Sequence, residues 1–188
     1  DPGKPYSVAY SPLTGATAVH RINAAGTGSS SVAANPWTKG WTQLVPFRLG
    51  TVQYMLAYRG ASGEVKINKV TGSGNDVTFT TVFQGTWSAG WTNIVPMLHN
   101  GAVHLLRYSQ SQGWASFDKA NAGGEGVTHL EYSNRSRTWT SFSPFTLDGK
   151  GHVLVYKAGS GETKILKLTA DGSAVTTTAD MNWTLGLA

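Results

Sequence analysis

The sequence predicts an all-β fold, a four-repeat β-propeller with four blades of about four strands each. Three observations carry this. The 188 residues hold 23 Gly, seven Trp and seven Tyr but only 13% charged residues, a composition of short strands and tight turns. A block ending in tyrosine recurs at Tyr10, Tyr58, Tyr108 and Tyr156, spaced by 48, 50 and 48 residues. Each period has room for about four strands, which is propeller arithmetic. Three-fold trefoils match four copies poorly, and a solenoid would need caps.

The elements follow in order. The second strand of each repeat, strand b, ends on the recurring tyrosine: Tyr6–Tyr10, Tyr54–Tyr58, His104–Tyr108 and His152–Tyr156. A glycine follows five residues later, at Gly15, Gly63, Gly113 and Gly161, which gives the b–c link the character of a hairpin. Strand c alternates, as in Val65-Lys66-Ile67-Asn68-Lys69-Val70 and Lys164-Ile165-Leu166-Lys167-Leu168. Strand d closes on Trp37, Trp87 and Trp183, with Arg135 standing in the third copy. Then come Trp41, Trp91 and Trp139, and strand a, with Val-Pro-Phe, Val-Pro-Met and Ser-Pro-Phe at 45–47, 95–97 and 143–145. Pro46, Pro96 and Pro144 lack an N–H and belong on an edge. The whole of 1–188 reads as a single repeat domain, with repeats of approximately 1–41, 42–91, 92–139 and 140–188. Strand a is missing from the first repeat. Either a ring closes with fifteen strands, or residues upstream of Asp1 supply the sixteenth.

The chain has no cysteine, which excludes disulfides and thiolate chemistry. It begins at Asp1-Pro2-Gly3 with no leader-like or membrane-spanning apolar run, and we read it as a mature or trimmed chain of a secreted, extracellular protein. The net charge of +5 is spread over single basic residues rather than a tract. That pattern disfavours nucleic acid, and no membrane partner is expected. It suits an acidic polysaccharide or other glycan, whose charges are sparser. The sequence leaves the oligomeric state open. No cofactor and no metal is expected. HExxH, Walker, GxGxxG and GxSxG patterns are all missing. Glu64 and Glu162 occupy equivalent turn positions and read as structural rather than as a glycosidase pair.

The candidate chemistry lies on strand b. Four residues before the repeated tyrosine stand Tyr6, Tyr54, His104 and His152, so two Tyr and two His fall on one circle around the axis. Tyr54, His104 and His152 are the candidate proton-transfer residues, with packing as the plain alternative. Arg59 and Arg107 are candidates to hold a substrate carboxylate by charge-assisted hydrogen bonds. Tyr6, Trp41, Trp91 and Trp139 are candidate sugar-binding aromatics, and blade packing is the competing role for the tryptophans. Arg48, Arg135 and Arg137 are read as loop cations.

The Trp-Thr-x-Gly-Trp-Thr-x-x-Val-Pro-Phe repeats resemble those of secreted actinomycete repeat propellers, including lectin-like domains. The resemblance covers essentially the whole chain and implies the scaffold rather than an activity. In size, basic charge and lack of cysteine the chain is also similar to small secreted bacterial hyaluronidases that act as lyases. That likeness is one of general character and assigns no residues. The expectation is a secreted lyase that cleaves an acidic polysaccharide such as hyaluronan by β-elimination. The alternative is a multivalent repeat lectin without catalysis.

Overall fold

The computed structural model describes residues 5–34, 36–73 and 76–183. Among these are fifteen strands and no helix, in four antiparallel sheets arranged as a four-bladed β-propeller. Blade one holds β1 (Tyr6–Tyr10), β2 (Thr17–Ile22) and β3 (Ser29–Ala34). Blade two holds β4 (Gln43–Leu49), β5 (Val52–Tyr58), β6 (Glu64–Ser73) and β7 (Asp76–Thr86). Blade three holds β8 (Asn93–His99), β9 (Ala102–Ser109), β10 (Trp114–Ala120) and β11 (Val127–Asn134). Blade four holds β12 (Ser141–Leu147), β13 (Lys150–Tyr156), β14 (Glu162–Leu168) and β15 (Val175–Asn182). Strands pair in chain order within each blade, so β1 is an edge strand where β5, β9 and β13 are central.

The repeated residues close each blade onto the next. Gly15, Gly63, Gly113 and Gly161 all have positive φ, and their carbonyls accept the N–H of Trp37, Trp87, Arg135 and Trp183. The degraded third copy therefore keeps the bond although Arg135 replaces the tryptophan. A Cβ on Gly63 would lie 1.9 Å from the Trp87 carbonyl oxygen, so the position demands glycine. The repeated tyrosines reach the following linker. The Tyr58 hydroxyl donates to the Ser88 carbonyl at 2.7 Å and accepts the Trp91 N–H at 3.3 Å. Tyr10 makes the same pair of bonds with Thr38 and Trp41. Tyr108 donates to the Ser136 carbonyl at 2.6 Å. These tyrosines are structural, as their recurrence predicts. The threonine after each second tryptophan serves the next turn: Thr42 Oγ1 donates to the Tyr58 carbonyl and accepts the Gly60 N–H.

Three apolar clusters hold the seams. Val19, Val32 and Val77 join blades one and two. Leu56, Tyr58, Val65, Ile67, Ile94 and Leu105 join two and three. Met97, Tyr108, Phe117, Val153, Val155 and Leu168 join three and four. Full burial of one such side chain contributes about 1.5–3 kcal/mol, against about 1 kcal/mol for a typical net hydrogen bond. The seams therefore supply most of the stability, and the tyrosine bridges fix the geometry.

Candidate functional site

Tyr54, His104 and His152 sit at equivalent places near the start of β5, β9 and β13, each about 95% buried. The structure places Tyr54 on the seam between blades two and three and His104 on that between three and four, while the partners of His152 lie within blade four. Tyr54 stacks on its cross-strand partner Phe47, with centroids 5.4 Å apart, and lies under Gly124 in the β10–β11 turn of blade three. His104 lies under Gly172 in the corresponding turn of blade four and edge-on to His99 at 5.4 Å. A Cβ on either glycine would collide with the ring beneath it. His152 stacks on Phe145 at 5.2 Å, with Nδ1 bonded to the Lys150 carbonyl. Burial lowers the pKa of His104, with His99 and Lys119 acting in the same direction. A bond to the Gly172 backbone and the charge of Asp171 oppose the shift.

The expected carboxylate-binding arginines already hold carboxylates of the protein. Arg59 Nη1 bonds Glu64 Oε2 at 2.5 Å, and its guanidinium covers the Trp41 ring at 4.9 Å. In blade four, Lys157 pairs with Glu162 and covers Trp139 at 4.6 Å. Trp41, Trp91 and Trp139 are each more than 90% buried, so they are seam residues under a cation rather than open sugar platforms. Glu64 and Glu162 are the partners of those cations, in line with their structural reading. Tyr6 is half-buried on β1 beside the first seam. Arg48 lies exposed within β4 rather than in a loop.

Blade three breaks this pattern. It has Ser109 and Trp114 where blades two and four have a cation and a glutamate. The cation over Trp91 comes instead from Arg107 on β9, which lies 5.0 Å from the Trp91 ring and 4.4 Å from Trp87. Arg107 is buried, and Nε and Nη2 each meet an Asp118 oxygen at 2.7 Å. Arg107 Nη2 also donates to Ser116 Oγ at 2.9 Å, and Ser116 donates to Asp118 at 3.1 Å. On β11, His129 Nδ1 stands 3.2 Å from Asp118 Oδ1. A carboxylate accepts, so Nδ1 is the donor in this contact, and in the neutral tautomer that fits it Nε2 carries the lone pair. The His129 side chain is 41% exposed, and its ring lies tilted against Tyr132, with centroids 4.1 Å apart.

Strand alternation puts Trp114, Ser116 and Asp118 on one face of β10, opposite Asn134, Tyr132 and His129 of β11. Trp114 and Tyr132 are each 50% exposed, so this face combines two open aromatic rings with an oriented imidazole. The register-equivalent pairs to Ser116–Tyr132 are Lys66–Gln84 and Lys164–Asp180, and those to Asp118–His129 are Asn68–Thr81 and Leu166–Thr177. Arg137 is exposed nearby, its side chain against Gly113, the residue before Trp114. Reasoning from strand b alone misses this face. Its signal is the third strand c, Trp114-Ala115-Ser116-Phe117-Asp118, which departs from the Glu-x-Lys pattern of its neighbours.

No protein-family model matches this sequence, and no curated protein matches it. Solved structures do share the fold. An exo-β-1,3-galactanase from Phanerochaete chrysosporium aligns over 94% of this chain and 46% of its own, with a TM-score of 0.67 and 11% identity. A periplasmic gluconolactonase from Pseudomonas aeruginosa aligns over 94% of this chain and 51% of its own, with a TM-score of 0.59 and 14% identity. This chain thus spans about half the length of the structures it resembles, and at these identities the likeness shows the propeller fold alone.

Proposed function

We propose that this protein is a secreted polysaccharide lyase that binds an acidic polysaccharide such as hyaluronan on the outer face of blade three. The observation that carries the reading is the coordinated change at Arg107, Trp114, Ser116, Asp118, His129 and Tyr132. There the repeat's surface ion pairs give way to exposed rings beside an oriented histidine. Aromatic faces pack on the apolar C–H face of a pyranose, and Arg137 offers a guanidinium to a uronate carboxylate. The galactanase and gluconolactonase named above are propellers that act on sugars or sugar lactones, which agrees with a carbohydrate substrate.

In this proposal Arg137 neutralises the uronate carboxylate and so acidifies the proton at C5. His129 Nε2 takes that proton as the C5–H bond breaks. The electron pair forms the C4–C5 double bond as the C4–O bond breaks, and the Tyr132 hydroxyl protonates the departing oxygen. Asp118 holds the imidazole and stabilises it once charged. The second reading, a lectin without catalysis, is favoured by one feature: the Trp114–Tyr132 pair can hold a sugar ring with no proton transfer at all.

The test is the ultraviolet absorbance of unsaturated uronides released from hyaluronan, chondroitin and alginate. A rise that falls by about a hundredfold or more in His129→Ala and persists in Tyr54→Phe supports the proposal. Loss in Tyr54→Phe with retention in His129→Ala would move the chemistry to the strand b ring. No rise with any substrate sinks the lyase and leaves the lectin.

A further inference from the structure

One position of the repeat changes its chemistry without losing its place. Trp37, Trp87 and Trp183 each lie tilted against the repeated tyrosine of their blade, with centroids 6.2, 6.2 and 6.3 Å from Tyr10, Tyr58 and Tyr156. In blade three Arg135 holds that position, and its N–H still reaches the Gly113 carbonyl at 2.6 Å. The packing on the tyrosine has passed to another residue. Phe142 of β12, the counterpart of Leu44 and Ile94, lies 4.9 Å from the Tyr108 ring. Arg135 instead sits half-buried with its guanidinium 5.8 Å from the Phe117 ring, and burial lowers its pKa. Among the described residues no carboxylate meets it, whereas Arg59, Lys66, Arg107, Lys157 and Lys164 each hold one. Glu131, on the same face of β11 as Ser133, bonds the Tyr132 N–H instead. The Ser133 hydroxyl, two residues before Arg135, is buried without a hydrogen-bond partner. A guanidinium drawn out of water without a counter-charge is costly, and a bound anion offsets that cost.

We propose that Arg135 and Ser133 form a site for a sulfate group, carried by a sulfated glycan. A planar guanidinium offers two parallel N–H bonds to an oxyanion, and a serine hydroxyl donates a third to a remaining oxygen. The site stands on the geometry at Arg135. The glycan as the source of the sulfate rests on the reading of blade three as a polysaccharide surface. Arg137, assigned above to a uronate carboxylate, packs its side chain against Gly113, the same glycine that Arg135 bonds. Two neighbouring arginines thus suit a polymer that carries a carboxylate and a sulfate in each disaccharide. Hyaluronan has the carboxylate alone, so the added site selects a sulfated uronate polymer.

The probes are sodium sulfate, chondroitin sulfate and the same polymer desulfated, each titrated against the full chain at constant ionic strength. The readouts are the Arg135 side-chain Nε–H signal in NMR spectra and, for the polymers, the equilibrium affinity. The expected result is a saturable shift of Arg135 with sulfate and with the sulfated polymer, and binding about tenfold weaker without the sulfate. Arg135→Trp restores the residue of the other three copies, and Arg135→Met keeps an apolar stem. Both variants are expected to bind the two polymers equally. An Arg135 signal unmoved by sulfate and by the sulfated polymer overturns the proposal, as does a folded variant that keeps the preference for sulfate. A shift with sodium sulfate but equal affinity for the two polymers overturns the glycan source. Trp114 signals that stay still while Arg135 responds to the sulfated polymer support this site and count against the blade-three surface.

Discussion

Arg107 and Asp118 form a bidentate ion pair inside blade three, two bonds of 2.7 Å between a guanidinium and a carboxylate that are both buried. The counterpart pairs of the other blades, Arg59–Glu64 and Lys157–Glu162, lie at the surface. In blade three the surface position that Glu64 and Glu162 hold in blades two and four is taken by Trp114.

That difference in burial predicts a difference in cost. Asp118→Asn leaves a buried guanidinium without its counter-charge and is expected to destabilise the fold by about 3–5 kcal/mol. Glu64→Gln, with both partners about a quarter exposed, is expected to cost no more than about 1 kcal/mol. Urea midpoints of the two variants check this, and equal midpoints would contradict it.

The tyrosine bridges predict alkaline unfolding. Burial raises the pKa of both Tyr58 and Tyr108. The Trp91 backbone and Arg107 oppose it at Tyr58, and the Trp139 backbone opposes it at Tyr108. A raised folded-state pKa means the unfolded chain releases its proton first. The contribution to stability is therefore complete below about pH 10 and is lost as pH rises toward the folded values. Thermal midpoints should fall above pH 10, and less steeply in Tyr58→Phe, which is itself expected to cost about 1–3 kcal/mol for the unpaired Trp91 N–H and Ser88 carbonyl. A parallel fall in the variant would contradict this account.

His104 predicts the opposite limb. Its folded pKa is lowered, so its contribution is complete above the ordinary histidine value near 6.5 and is lost as pH falls from there. His99 and Lys119 face it with like charge, and Asp171 with opposite charge. His104→Tyr restores the residue found at Tyr54, which sits under the equivalent glycine. It should flatten the stability profile below pH 6.5. An unchanged profile in that range would place the acid sensitivity elsewhere.

The scaffold was legible because the repeat writes its structural residues three or four times. Tyr58, Gly63 and Thr42 each make a bond that recurs at the equivalent residues of other blades. The candidate site was harder to read for the same reason. Tyr54, His104 and His152 differ between copies, yet all serve one packing role beside Phe47, His99 and Phe145. Variation in polarity there reflects buried rings that differ at their tips, two stacked on a phenylalanine and His104 set edge-on to His99. Trp91 and Arg107 looked like ligand-binding groups because an aromatic ring and a cation are also what a seam uses when they cover each other. The third-blade face lies on strands c and d, where a bulge between Phe117 and Asp118 shifts the register, so the meeting of Asp118 with His129 needs the structure.

The most direct measurement is a titration of the isotope-labelled chain with a hyaluronan oligosaccharide, followed by the Trp114 indole and the His129 and Tyr132 signals in NMR spectra. The account predicts saturable shifts confined to that face of blade three and abolished by Trp114→Ala. Shifts centred on Tyr54, His104 and His152, or none anywhere, would contradict it.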